Sequence, residues 1–183
     1  MRDPFNCSPN VRNNEIDIMV KFALCFLILS GSVFGQAQPS MEKMNKDALL
    51  LESAVNDAVS TTIPGFGPAL QNAKGAYLEG YGVVVTLEVA LEPPRLPFGG
   101  VKSPEEVRKT VSQRRKDVMD RLTSLLKQRT PALESVAATE SVAIILNLLN
   151  TNPADTPDLP AQIILSVKKQ DADSARINIR EYK

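Results

Sequence analysis

Glu79 and Glu88 stand on either side of the Gly80-Tyr81-Gly82 step and the start of the apolar run behind it. Paired carboxylates are what glycoside hydrolysis needs, one as acid and the other as base or nucleophile. Along one regular strand their odd separation places them on opposite faces, so only a bulge at the glycines would bring them together. Otherwise Glu88 is a solvated strand residue and Glu79 a turn residue. Ser124-Leu125-Leu126-Lys127 has the spacing of the Ser-x-x-Lys nucleophile of penicillin-binding enzymes. It sits at the tail of a helical pattern and lacks the companion Ser-Asp-Asn and Lys-Thr-Gly elements, so chance is the simpler reading.

Gly65-Phe66-Gly67 and Gly80-Tyr81-Gly82 carry neither the third glycine of a dinucleotide fingerprint nor the Lys-Ser/Thr of a phosphate loop. They read as turns. Asp155 and Asp158 flank Pro157 without the alternating oxygen ligands and closing Glu of a calcium loop. They read as turn formers beside proline.

Missing residue types narrow the chemistry further. The chain has no His, and therefore no side chain that ordinarily titrates near neutrality. Its two cysteines, Cys7 and Cys25, both lie in the segment expected to be removed on export. Zinc, haem, iron-sulfur, Ser-His-Asp and Cys-His sites are thereby disfavoured. No catalytic, metal-binding or cofactor-binding residue is expected.

Charge is balanced overall, at 21 basic against 21 acidic groups, but not locally. Between Ser103 and Arg129 eight cations face four acids. Arg108, Arg114, Arg115, Lys116 and Arg121, with the tyrosines Tyr77 and Tyr81, form the expected contact surface. The plain alternative is a solvated helix face, with acids at its start and a base at its end as the helix dipole favours. An envelope protein or an acidic surface is the expected partner; export and zero net charge disfavour nucleic acid.

The export signal lies near the start. Met19, Val20 and Lys21 precede the apolar run from Phe22 to Leu29, which is followed by Ser30 to Gly35. One positive charge, a short apolar stretch and small residues at Val33 and Gly35 describe a secretory signal peptide. Phe22 to Gly35 is shorter than the ~20 apolar residues that cross a bilayer. The cut is expected before Gln36 or, as an alternative, after Ala37. The organisation expected is a mis-assigned upstream start over 1–18, a signal peptide over 19–35, a polar leader over 36–46, and a single domain over 47–183. The processed protein is periplasmic or extracellular, has no transmembrane segment, and is held by packing without disulfides.

The elements that must position these residues follow from periodicity. Asp47 to Val59 sets Leu51, Val55, Ala58 and Val59 at helical spacing. Pro64 to Gly75 reads as loop. Val85, Leu87, Val89 and Leu91 alternate with Thr86, Glu88 and Ala90, giving a half-buried strand. Tyr77 and Leu78 begin it earlier or form a shorter strand of their own, divided from it by a turn at the glycines. Ser103-Pro104-Glu105-Glu106 is a capping box with Pro at the first helical position. It opens a helix that runs to about Arg129 and buries Val107, Val111, Val118, Leu122, Leu125 and Leu126. Val142 to Leu149 reads as a central strand buried on both faces. Ile163, Leu165 and Val167 give a half-buried strand, and Ile177 and Ile179 a short one at an edge. The fold expected is α+β: a mainly antiparallel sheet of three to four strands, with one long and one shorter helix packed on one face.

Three passages give a resemblance. Tyr77-Leu78-Glu79-Gly80-Tyr81-Gly82-Val83-Val84, the basic helix from Ser103, and Asp155-Thr156-Pro157-Asp158-Leu159-Pro160 together resemble a group of uncharacterised exported bacterial proteins. The resemblance implies an exported single domain and carries over no activity. The reading of the sequence is an exported, non-enzymatic envelope protein acting as an interaction or structural module. The alternatives are a carboxylate-dependent envelope hydrolase using Glu79 or Glu88, and a carrier of a small apolar ligand.

Overall fold

The computed structural model describes residues 40–62, 69–93, 103–150, 153–173 and 177–183. The segment read as a signal peptide, the cut sites expected for it, the two cysteines, Gly65-Phe66-Gly67 and most of the Glu92 to Gly100 loop lie outside the described residues. The order is α1 (Met41–Thr62), β1 (Ala69–Leu78), β2 (Gly82–Val89), α2 (Pro104–Arg129), β3 (Ser141–Leu148), β4 (Gln162–Lys168) and β5 (Asn178–Tyr182). Short 3-10 turns at Thr130–Ala132 and Lys169–Asp171 follow α2 and β4. From residue 40 on, the chain forms one compact unit.

The sheet has five strands in the order β1-β2-β3-β4-β5. Three of its four pairings are antiparallel, as expected in the main, but it has five strands where three to four are expected and one parallel pair makes it mixed. β1/β2, β3/β4 and β4/β5 are antiparallel, while β2 and β3 run parallel. The parallel pair follows from the helix between them. Parallel neighbours need a long crossover, and the 26 residues of α2 span about 39 Å, enough to carry the chain back past β2.

Most of β1 lies in a segment that reads as loop, though Tyr77 and Leu78 at its end read as strand. β1 begins at Ala69, inside the stretch Pro64 to Gly75, and its pairing with β2 shifts register between Ala69 and Gln71 and between Gln71 and Lys74. Ala-Leu-Gln-Asn-Ala-Lys-Gly shows no clear alternation, in keeping with the two register shifts that fall within it. The turn to β2 uses Glu79, Gly80 and Tyr81, with Gly80 at φ 74° and Gly82 at φ 116°.

α2 starts as its capping box dictates. The Ser103 side chain accepts from the Glu106 amide, and the Glu106 carboxylate accepts from the Ser103 amide at 2.8 Å. α1 extends beyond the expected Asp47 to Val59, beginning at Met41 inside the polar leader and ending at Thr62.

Both helices cover one face of the sheet. α1 contributes Leu51, Val55 and Val59 to the core, and α2 contributes Val111, Val118, Leu122 and Leu126. Val107 and Leu125 are only half-buried at its margin. The sheet contributes alternate residues such as Val85, Leu87, Ile144, Leu146, Ile163 and Leu165. β3 is central, but helices cover only the side that carries Val142, Ile144, Leu146 and Leu148. Its other side carries buried Ala143 and half-buried Ile145 and Asn147, and no described helix packs there.

Candidate functional site

Three groups that could do chemistry instead hold the segment from Leu133 to Ser141. Asp47, 4% exposed on α1, accepts from the Ser135 amide at 2.7 Å and its hydroxyl at 2.8 Å. The Lys169 ammonium donates to the carbonyls of Leu133 and Val136, the latter at 2.9 Å. Glu140 accepts from the Tyr77 hydroxyl at 2.8 Å and from the Ala137 amide at 2.8 Å. Each charge faces partners that match it, so burial costs little and the segment is pinned from α1, β1 and the end of β4. Asp47 was legible as unusual, because it lies four residues before Leu51 on the apolar stripe of α1.

Among the described residues Tyr77 is the one titratable group clearly displaced. Burial first, then the hydrogen bond to Glu140 and the charges of Glu140 and Glu79, push its phenol above the ordinary value near 10. It holds its proton and donates it to Glu140, the opposite of what a base would do.

The two carboxylates singled out in the sequence do not meet. Glu79 lies in the β1/β2 turn, whereas Glu88 lies six residues beyond Gly82 near the far end of β2. About 20 Å of strand separates Gly82 from Glu88. The glycines make a turn between strands, not the bulge that would pair the acids. Ser124 lines a groove of about 190 Å³ between α1 and α2, together with Asp57, Arg121 and Gln128, but Lys127 is not among its walls. Among the described residues no group of three or more His, Cys, Asp or Glu is placed to hold a metal ion, and no helix is long and apolar enough to cross a membrane.

The basic helix divides in two. Arg108 Nε donates to the Asp155 carbonyl at 3.0 Å, Arg114 Nη1 to the Leu91 carbonyl at 3.1 Å, and Arg115 pairs with Glu181 of β5. Those three clamp the linker, the end of β2 and the last strand onto α2. Lys116 and Arg121 are exposed. Tyr81, 41% exposed, sits in the β1/β2 turn. Of the anticipated contact residues, Arg108, Lys116, Arg121 and Tyr81 are exposed and Arg114, Arg115 and Tyr77 are half-buried.

The sheet's two edges differ more than its charges do. At β1, the Ala73 amide donates to Asn56 Oδ1 at 2.9 Å and the Gly75 amide to Glu52 Oε2 at 3.0 Å, both acceptors belonging to α1. A Cβ on Gly75 would lie 2.7 Å from the Ala48 carbonyl oxygen, so only glycine admits the helix this closely. α1 thus caps the edge where another strand would pair. β5 has no such cover among the described residues. All five of its residues are exposed, including Ile179 at 47% and Tyr182 at 46%. Beside it, Arg108, Val111, Ser112 and Arg115 of α2 and residues Thr156 to Leu159 wall a cleft of about 220 Å³.

The bare face of the sheet carries a polar ladder. Asn147 Nδ2 donates to Thr86 Oγ1 at 3.3 Å, and Gln162 Nε2 donates to Asn147 Oδ1 at 2.9 Å. Val84, Ile145 and Ile164 lie half-buried alongside. Compared with known protein families, curated proteins and solved structures, the chain has no match.

Proposed function

We propose that the chain is an exported, non-enzymatic interaction module of the cell envelope, and that its partner docks at the β5 edge of the sheet. The contrast between the two edges carries this reading. One is capped by α1 through Asn56 and Glu52, while the other is left exposed beside a cleft. An unpaired strand edge is a liability unless it is covered or used. Export rests on the segment 19–35 with its charge, apolar run and small residues. The absence of an enzymatic role is supported by the use of Asp47, Lys169, Glu140 and Tyr77 as internal ties.

In-cell crosslinking and affinity capture from the native host test the reading, with a tag in the 36–40 leader so that β5 stays unmodified. One envelope partner is expected repeatedly, lost in Arg180→Glu and retained in the Lys116→Glu, Arg121→Glu double variant. Capture lost only in the helix variant would move the contact to α2. Recovery of the processed chain alone would refute the module.

A further inference from the structure

We infer, resting on the reading of β5 as the docking edge, that the partner offers an extended segment which joins the sheet as a sixth strand. That segment carries an aliphatic side chain next to a carboxylate. The register fixes which side of β5 each residue takes. Leu165 pairs with Ile179 and Ile163 with Glu181, so Ile179 and Glu181 lie on the helix side. Ile164 pairs with Arg180 and Gln162 with Tyr182, so Arg180 and Tyr182 lie on the bare side.

The cleft belongs to the helix side. Arg115, one of its walls, pairs with Glu181, and Asp158, another, lies 3.6 Å from the Lys183 ammonium just past β5. Val111 belongs to the core and Leu159 packs against it. A pocket of about 220 Å³ with this apolar floor admits one branched aliphatic side chain from the added strand. On the bare side the exposed guanidinium of Arg180 meets whatever stands opposite it, and opposite charges on facing strand positions attract. Successive side chains of a strand alternate between faces. A single segment therefore satisfies both sides when Leu, Ile or Val is adjacent to Asp or Glu. Main-chain hydrogen bonds supply affinity and the two side chains supply choice, as in other strand additions.

Like charge disfavours a second copy of this chain in two antiparallel registers, though not in the one about Ile179, where Arg180 would face Asn178. Pairing two β5 strands antiparallel about Arg180 sets arginine against arginine, and pairing them about Glu181 sets glutamate against glutamate.

The test is panning of the full processed chain against a displayed random heptapeptide library, followed by titration with the best synthetic peptide. Enrichment of β-forming heptapeptides with an acid beside an aliphatic residue is expected. Arg180→Glu and Ser112→Trp, the latter filling the cleft from an exposed helix position, should each weaken binding roughly tenfold or more, and Lys116→Glu should leave it unchanged. Amide resonances of Asn178 to Tyr182 should move on binding. Enrichment of other motifs, or binding indifferent to both variants, overturns the inference. So does a dimer by light scattering that Arg180→Glu dissolves, since the occupant would then be a second copy. If cellular capture still depends on Arg180 but no such motif is enriched, the docking edge stands and the partner class is wrong. If neither assay responds to Arg180→Glu, the docking edge itself is wrong.

Discussion

A Cβ added to Gly82 would stand 2.1 Å from the carbonyl oxygen of Ser141, the residue paired with it at the start of β3. The contact is between backbones, so no side chain can yield. It sits where the β1/β2 turn enters the parallel pair, and the Ser141 amide donates to the Tyr81 carbonyl there at 2.6 Å.

Gly82→Ala should therefore cost at least about 3 kcal/mol, combining a positive φ with a clash that only strand separation relieves. Gly80→Ala is the control. Gly80 also has positive φ but nothing within 4 Å of an added Cβ, so it should cost about 1 to 2 kcal/mol. Urea unfolding of the two variants compares them directly, and equal losses would contradict the packing argument.

Asp47→Ala should destabilise by about 3 kcal/mol, because two bonds to a carboxylate vanish and the Ser135 amide is left buried without its acceptor. Ser135→Ala keeps the amide bond and should cost only about 1 kcal/mol. A double-mutant cycle in urea should show coupling between the positions. Additive losses would mean that the pair does not act as a tie.

Thr130 is fully buried just past α2, and its hydroxyl has no hydrogen-bond partner among the described residues. Thr130→Val keeps the shape and removes that unmet group. It should leave stability unchanged or raise it by up to about 1 kcal/mol. A fall in melting temperature would reveal a partner for the hydroxyl.

The Tyr77 phenol is held above its ordinary value by burial and by Glu140, so the folded state keeps this proton longer than the unfolded chain. Its contribution to stability is complete below about pH 10 and is lost as pH rises from there through the folded value. Tyr77→Phe should be less stable than the parent at neutral pH, by about 1 to 2 kcal/mol for the lost bond to a carboxylate. The gap should narrow above pH 10. Urea unfolding between pH 7 and 11 reads it, and a constant or widening gap would contradict the assignment.

Much of the fold was written locally. The capping box at Ser103 fixed where α2 begins, and the alternation of Val85, Leu87 and Val89 marked the buried face of β2. Most of β1 was not legible, because its edge is completed by Asn56 and Glu52, 17 and 23 residues away in the chain. The parallel pairing of β2 with β3 is likewise a property of the crossover, not of either strand. At the candidate site the charges of α2 were legible but their directions were not. Arg108, Arg114 and Arg115 turn back onto Asp155, Leu91 and Glu181, contacts that no helical spacing encodes. The tie between Asp47 and Ser135 spans 88 residues, and its only local sign was an acid on an apolar stripe.

The most direct test of the docking edge is site-specific photocrosslinking in the native host, with a photoreactive residue at position 179 on β5 or at position 72 on β1. Asn72 is exposed on the strand whose edge α1 caps. Position 179 should yield a discrete crosslinked species in the envelope fraction, and position 72 should not. Equal crosslinking at both positions, or none at 179, would contradict the account.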